Sequence, residues 1–157
     1  MKGFFSFLNL NFLPASQDFG LLLLRAASGL GMLFVHGWGK AEMFFGFGAW
    51  TAVKNADRLK TIAAFSDPLH IGGRLTLGLL VFAEVICAAM LVIGFCTRFA
   101  ALALSVAMGV AFFVQKKMIL FGKDSGEMAA LYFAAFLVIL FSGPGKFSFD
   151  GSSGGNA

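Results

Sequence analysis

Residues 72–115 decide the fold, and they read GGRLTLGLLVFAEVICAAMLVIGFCTRFAALALSVAMGVAFFVQ. They contain two continuous apolar stretches, about 72–95 and 97–115, each close to the roughly 20 residues that a helix needs to cross a bilayer. Because only Gly94-Phe95-Cys96-Thr97 joins them, we predict an antiparallel transmembrane hairpin. Strands of a transmembrane barrel would instead alternate apolar and polar residues in segments of about ten.

Two more apolar stretches flank this hairpin. The first covers 19–39, and the last, about 126–142, runs into Gly143-Pro144-Gly145. Pro and Gly are typical residues at the end of a helix. We therefore predict an all-α membrane protein, with a four-helix transmembrane bundle as a single domain over 19–145.

The composition excludes the other broad classes of protein. The chain of 157 residues is 59% hydrophobic and only 13% charged, and its mean hydropathy is +0.85. A soluble domain has about 25% charged residues, so this chain is not an ordinary soluble domain. Disordered chains are poor in aromatic residues, whereas this chain has 21 Phe. The net charge of +4 is assigned to loops that face anionic lipid, so no nucleic-acid partner is expected.

Three segments lie outside the predicted helices. Residues 1–18 are expected to form a stub at the membrane interface, and 146–157 a flexible tail. The long connection 40–71 contains AWTAVKNADRLKTIAAF, which has helix-forming residues, mixed charges and a Trp at its start. We predict an interfacial helix in this first loop; a plain surface loop is the alternative.

The distribution of Lys and Arg predicts the orientation in the membrane. Seven basic residues fall in the first and third loops, and three at the other side. Because loops rich in Lys and Arg stay in the cytoplasm, both termini are expected outside.

Charged residues within the apolar stretches are the candidates for function. A charge at bilayer depth costs about 2.5–3.5 kcal/mol even on the most lenient scale, so such groups face the interior of the bundle and find partners. Helix geometry brings Arg25 within side-chain reach of Glu84 if their faces agree. Four others are expected to gather at the mouth beneath the first loop: His36, Lys40, Arg74 and Glu127.

These polar positions have two interpretations. An Arg25–Glu84 pair could simply fix helix packing, or the polar groups could line a pocket that handles a proton or binds an apolar ring with polar ends, such as a quinone. Cys87 and Cys96 form no C-x-x-C motif, so we expect no metal site and no thiol–disulfide chemistry. No catalytic constellation is recognisable, and the catalytic residues stay unknown.

The motifs, taken in order, resemble those of the DoxX family of small four-span membrane proteins. They are Arg25…Gly29…His36-Gly37-x-x-Lys40, Glu84 with its hairpin turn, Glu127, and Gly143-Pro144-Gly145-Lys146…Asp150. The Phe-Gly cluster at 44–48 in the first loop departs from that pattern. The resemblance implies a bacterial cytoplasmic (inner) membrane protein associated with quinone oxidoreductase or oxidative-stress complexes, but no settled catalytic role for these positions.

Three functions are therefore considered. The leading hypothesis is a subunit of a quinone-linked membrane complex, with a quinone as cofactor and with electrons supplied by a partner redox protein. The second is a non-enzymatic structural or assembly subunit. The third is a small-molecule carrier, which would have to act as a homo-oligomer because four helices are few for alternating access.

Overall fold

A computed structural model of the chain describes residues 16–51, 53–122 and 125–152. The N-terminal stub predicted for 1–18 lies outside the described residues except for 16–18, and so do residues 153–157. Helices account for most of the described chain, and no strand occurs among these residues. The protein is an all-α membrane bundle.

The first long helix, α1 (17–45), is longer than predicted. It consists of the α-helix Gln17–Gly31, a π-helical turn Met32–Gly37 and the α-helix Trp38–Phe45. At a rise of about 1.5 Å per residue, α1 is about 43 Å long, so it extends well past a hydrocarbon core of about 30 Å. Ser16 caps its N-terminus by accepting a hydrogen bond from Phe19 N–H.

The predicted helix in the first loop is present. After a single 3₁₀ turn at Gly48–Trp50, helix α2 covers Asn55–Ala63. Its C-terminal carbonyl groups lie against Gly73, where an added Cβ would be 2.7 Å from the Ile62 oxygen. Glycine at position 73 therefore allows the loop helix to sit directly on the start of the next helix.

The predicted hairpin is confirmed. Helix α3 covers Gly73–Ile93 and helix α4 covers Thr97–Gln115. The connecting turn needs left-handed backbone at Gly94 (φ 79°) and also at Cys96 (φ 45°). Glycine adopts this conformation without the steric penalty that other residues incur, which explains Gly94 in this short connection.

The fourth bundle helix is short. Within the described part of the chain, three helical stretches are long and apolar enough to cross a membrane, namely Gln17–Trp50, Gly73–Ile93 and Thr97–Gln115. Helix α5, Glu127–Ser142, has 16 residues, which correspond to about 24 Å. It packs against α4 along most of its length.

The helices surround the bundle axis in the order α1, α3, α4, α5, because each packs closely on its neighbours in that ring. The main core lies toward the hairpin end and is rich in small residues that let helix backbones approach. Its buried members are Met32, Cys87, Ala88, Leu91, Ala100, Ala101, Leu104, Met108, Phe136 and Ile139.

The C-terminal segment is folded against the hairpin end. Asp150 N–H donates a hydrogen bond to the Gly94 oxygen, and the Asp150 carboxylate accepts bonds of 2.8–2.9 Å from Cys96 N–H, Thr97 N–H and the Thr97 hydroxyl. Asp150 thereby caps the N-terminus of α4 from a distant part of the chain. The prediction of a flexible tail over 146–157 is therefore wrong for residues 146–152, which are folded and end in the short helix α6 (Phe149–Ser152).

The contact between α1 and α3 depends on glycines. A Cβ added at Gly37 would lie 2.6 Å from the Glu84 backbone oxygen, whereas a Cβ at Gly39, on the same helix, would meet nothing within 4 Å. The two positions therefore form a matched pair for a test of backbone packing.

We expect Gly37→Ala to lower the free energy of unfolding by about 1–3 kcal/mol, because overpacking forces α1 away from α3. Gly39→Ala should be neutral or stabilising by up to about 1 kcal/mol, the helix-propensity difference between Ala and Gly. Thermal unfolding of both variants in mild detergent measures this. Equal melting temperatures for the two variants would show that the close α1–α3 contact does not matter for stability.

Candidate functional site

A cavity of about 630 Å³ lies inside the bundle, in the half covered by the first loop. Its walls are mainly apolar side chains from α3, α4 and α5, and the first loop adds Phe65, Pro68 and Leu69. This size and character are typical of small-molecule sites, which measure about 300–1,000 Å³ and carry a few placed polar groups. The polar residues in its lining are His36, Lys40, Thr76, Glu84, Gln115, Lys116, Ser125 and Tyr132.

An ion pair between Lys40 and Glu84 lies in the lining of this cavity. The Glu84 side chain is 2% exposed, and that of Lys40 is 25% exposed. Gly37 brings the two helices together beside Glu84, and Lys40 follows three residues later on α1. Side chains lean toward the N-terminus of their helix, so in antiparallel α1 and α3 these two lean toward each other.

His36 offers the cavity a ring nitrogen with no partner. Its Nε2 atom is buried and makes no hydrogen bond within the described chain. The imidazole meets the Tyr132 ring edge to face, with 5.4 Å between ring centres, and Tyr132 in turn stacks on Phe136. A buried polar atom without a partner costs stability unless something else bonds to it, so Nε2 is available to a ligand.

The three π-helical turns in the described residues border this cavity. They cover Met32–Gly37, Phe82–Cys87 and Val110–Gln115, and they supply His36, Glu84 and Gln115 to the lining. A π-helical turn rotates the following residues relative to a regular helix, and such turns are frequent at functional sites. Apolar periodicity gives no signal for them, which is why the sequence did not predict them.

A comparison with protein-family models matches residues 20–117 to the DoxX model. The chain belongs to the DoxX family. The match includes α1 to α4 and ends before Glu127 and the motif at 143–150. Comparison with curated proteins finds no match, and neither does comparison with solved structures.

Arg25 of this DoxX protein does not pair with Glu84, which corrects the contact considered from the sequence. Its Nη2 donates a 2.6 Å hydrogen bond to the Phe147 oxygen, and Nη1 has a long contact of 3.5 Å with the Leu91 oxygen. The cause is the direction of the side chain: Arg25 leans toward the N-terminus of α1 and so away from Glu84. Arg25 is fully buried, and it lies outside the cavity lining.

Arg25 instead belongs to the clamp formed by the C-terminal segment. The guanidinium lies near Asp150, whose carboxylate caps α4. Lys146 N–H and its side chain also bind Asp18 in the first turn of α1. These contacts give Arg25 a structural role at the hairpin end, opposite the cavity.

Two other predicted residues lie outside the cavity. Arg74 is exposed at the start of α3 and borders a separate surface depression with Phe44 and Gly78. Glu127 is exposed in the first turn of α5. Of the four residues expected at the mouth, the structure therefore brings His36 and Lys40 together, and Glu84 joins them.

Asp67 orders the loop over the cavity and was missed from the sequence. Its carboxylate accepts hydrogen bonds from Ile71 N–H, Gly72 N–H and the Thr76 hydroxyl. Desolvation opposes ionisation, but these bonds outweigh it and hold the pKa of Asp67 below its ordinary value. A signal was present, because an Asp shortly before a Gly pair and a helix is typical of such side-chain-to-backbone turns.

The Lys40–Glu84 pair yields a prediction about stability. We expect Lys40→Met to lower the free energy of unfolding by up to the roughly 3–5 kcal/mol seen when one partner of a buried pair is removed. Adding Glu84→Gln should recover part of that loss, because no unpaired carboxylate is then buried. Thermal unfolding of both single variants and the double variant measures the coupling between the two residues. Lys60→Met, which removes an exposed lysine beside Asp57, is the control, and strictly additive effects at Lys40 and Glu84 would contradict the pairing.

Asp150 yields a prediction about acid stability. Desolvation raises the pKa of its carboxylate, but the bonds from Thr97 and Cys96 and the charge of Arg25 outweigh it, so the pKa lies below its ordinary value. A depressed folded-state pKa stabilises the folded state above the unfolded pKa of about 4, and this contribution disappears as pH falls from there through the folded pKa.

We therefore expect Asp150→Asn to lower the free energy of unfolding at pH 7 by about 1–3 kcal/mol, because an amide NH2 replaces one of the two acceptor oxygens and leaves its donors unpaired. The difference from the unchanged protein should shrink on acidification below about pH 4, where Asp150 becomes protonated. Thermal unfolding in detergent across this pH range measures it, with the exposed Asp57→Asn as control. A difference that stays constant with pH would contradict the assigned role of the ionised carboxylate.

Proposed function

We propose that this DoxX protein binds a quinone in the cavity and acts as a subunit of a quinone-linked redox or oxidative-stress membrane complex. The observation that carries the proposal is the placement of His36, Lys40 and Glu84 together in a cavity of about 630 Å³ with mainly apolar walls. A quinone has the matching chemistry, since it is an apolar ring with polar oxygens at opposite ends.

The residues of the cavity divide into groups that hold the ring and groups that bind its oxygens. The Lys40 ammonium donates hydrogen bonds, and it lies against the buried Glu84 carboxylate. The free Nε2 atom of His36 supplies a second hydrogen-bonding position. The rings of His36 and Tyr132, already edge to face, provide an aromatic wall.

A bound quinone supplies two-electron chemistry coupled to protons, and the protein's part is to place it and to exchange protons. Glu84 and His36 are the titratable groups at the cavity that suit proton exchange. The electrons come from a partner redox protein in the complex. The proposed location is the bacterial cytoplasmic membrane, with the first and third loops inside and both termini outside.

The first test is chemical. The protein is purified in mild detergent and extracted with organic solvent, and the extract is analysed by ultraviolet spectra and mass spectrometry. We expect a stoichiometric quinone in the unchanged protein and its loss in Glu84→Gln, because the variant removes the charge that holds Lys40 in place. Glu127→Gln is the matched control: the same substitution at an exposed residue outside the cavity lining should keep the quinone.

A second candidate function is a structural or assembly subunit without a ligand. It is favoured by one observation, namely that Arg25 and Glu84 each have partners within the chain that can serve packing alone. Extracts without quinone from a protein that unfolds cooperatively would refute quinone binding and support this function. Affinity purification from native membranes would then search for the partner.

A further inference from the structure

Helices α3 and α4 separate toward the loop end of the bundle. They pack closely from the hairpin turn up to the π-helical turn Phe82–Cys87, whereas residues 73–81 of α3 lie farther from α4. At the open end, the first loop bridges toward α4 through a 3.1 Å hydrogen bond from Gln115 Nε2 to Ser66 Oγ. The hairpin is therefore V-shaped, and the cavity lies in its opening.

Residues on both arms of this V line the cavity and also belong to a row of exposed apolar side chains that recurs every three or four residues along the outer face of each helix. They are Leu79 and Phe82 on α3, and Val106 on α4. Their exposed fractions range from 41% to 59%. Side chains that border the cavity and the outer surface at once mark an opening, so the cavity opens sideways between α3 and α4.

The opening lies at the depth of the hydrocarbon core. Val106 is about 14 Å from the start of α4 at a rise of about 1.5 Å per residue. Phe82 is about 14 Å from the opposite end of α3 by the same rise. A core of about 30 Å therefore surrounds this gap with acyl chains and not with water.

His36 and the Lys40–Glu84 ion pair lie on the side of the cavity away from this opening. His36 and Lys40 are on α1, which faces α4 across the bundle, and Lys40 holds Glu84 on the α1-facing side of α3. From the apolar side chains at the lipid-facing opening inward, the lining thus changes to the ion pair and the imidazole. A ligand that fits this gradient has a polar ring at one end and a long apolar tail at the other.

We infer that the gap between α3 and α4 is a lateral entrance, through which the ligand enters from the bilayer and in which its apolar tail stays. This inference rests on the proposed function, and it specifies the class of ligand: a quinone with a long polyisoprenoid tail, and not a water-soluble ring compound. The tail lies between Leu79 and Phe82 on one side and Val106 on the other.

The test uses two matched substitutions in lipid nanodiscs. Val106→Trp places a bulky ring in the entrance, and Val138→Trp places the same ring on α5, at a position that is also about half exposed but does not line the cavity. Binding is measured for two quinones that share the same head group, one without a tail and one with a long tail. Each ligand is compared between protein variants, because its partition into the lipid of the nanodiscs is the same for every variant and so does not affect the comparison.

We expect Val106→Trp to weaken binding of the long-tailed quinone by roughly tenfold or more, and to change binding of the tail-less one by less than about twofold. Val138→Trp should change neither. Thermal unfolding of both variants confirms that the fold is intact.

The outcomes that contradict the inference are distinct from failure of the proposed function. If the long-tailed quinone binds Val106→Trp as well as the unchanged protein, the lateral entrance is wrong while quinone binding stands. If native mass spectrometry finds a phospholipid that only Val106→Trp expels, the gap holds lipid and the inference is overturned. If no quinone of either kind binds the unchanged protein, the proposed function itself fails.

Discussion

The close approach of α1 to α3 is the contact on which the rest of the bundle depends. At Gly37 the two backbones are too close for any Cβ, and Glu84 is the residue on the other side. This contact places Lys40, one turn later, where its side chain can lean back to the carboxylate. The ion pair, the orientation of His36 and the width of the cavity all follow from the separation of these two helices.

The fold was predictable from the sequence because continuous apolar stretches and short connections leave few alternatives. The hairpin 72–115 was found in this way, whereas the helix in the first loop was predicted from its helix-forming residues and mixed charges. The bounds of α1 were harder, since polar residues such as Lys40 and Glu42 mark the expected end of a membrane span although the helix continues to Phe45. A helix does not have to end where the bilayer does.

The site was predictable only in part. The candidate residues His36, Lys40 and Glu84 were identified from their cost in a membrane, but depth alone suggested Arg25 as the partner of Glu84. Side chains lean toward the N-terminus of their helix, and this rule would have selected Lys40 as the partner of Glu84. Arg25 leans away from Glu84, whereas Lys40 leans toward it. Asp150 accepts a hydrogen bond from Thr97 and lies near Arg25, and both residues are far from it in sequence. No local pattern in a single sequence reveals such contacts.

Helix α5 has a consequence for the lipid around the protein. Its length of about 24 Å is less than a hydrocarbon core of about 30 Å, so the bilayer beside it has to thin or the helix ends have to draw polar groups inward, at a cost of a fraction of a kcal/mol per ångström. The outer faces of α1 and α3 impose no such deformation. The bundle is therefore asymmetric in hydrophobic thickness. When two proteins associate through faces of small hydrophobic thickness, they share one region of thinned bilayer, and the total cost of mismatch falls. The α5 face is therefore the side where association in the membrane plane costs least.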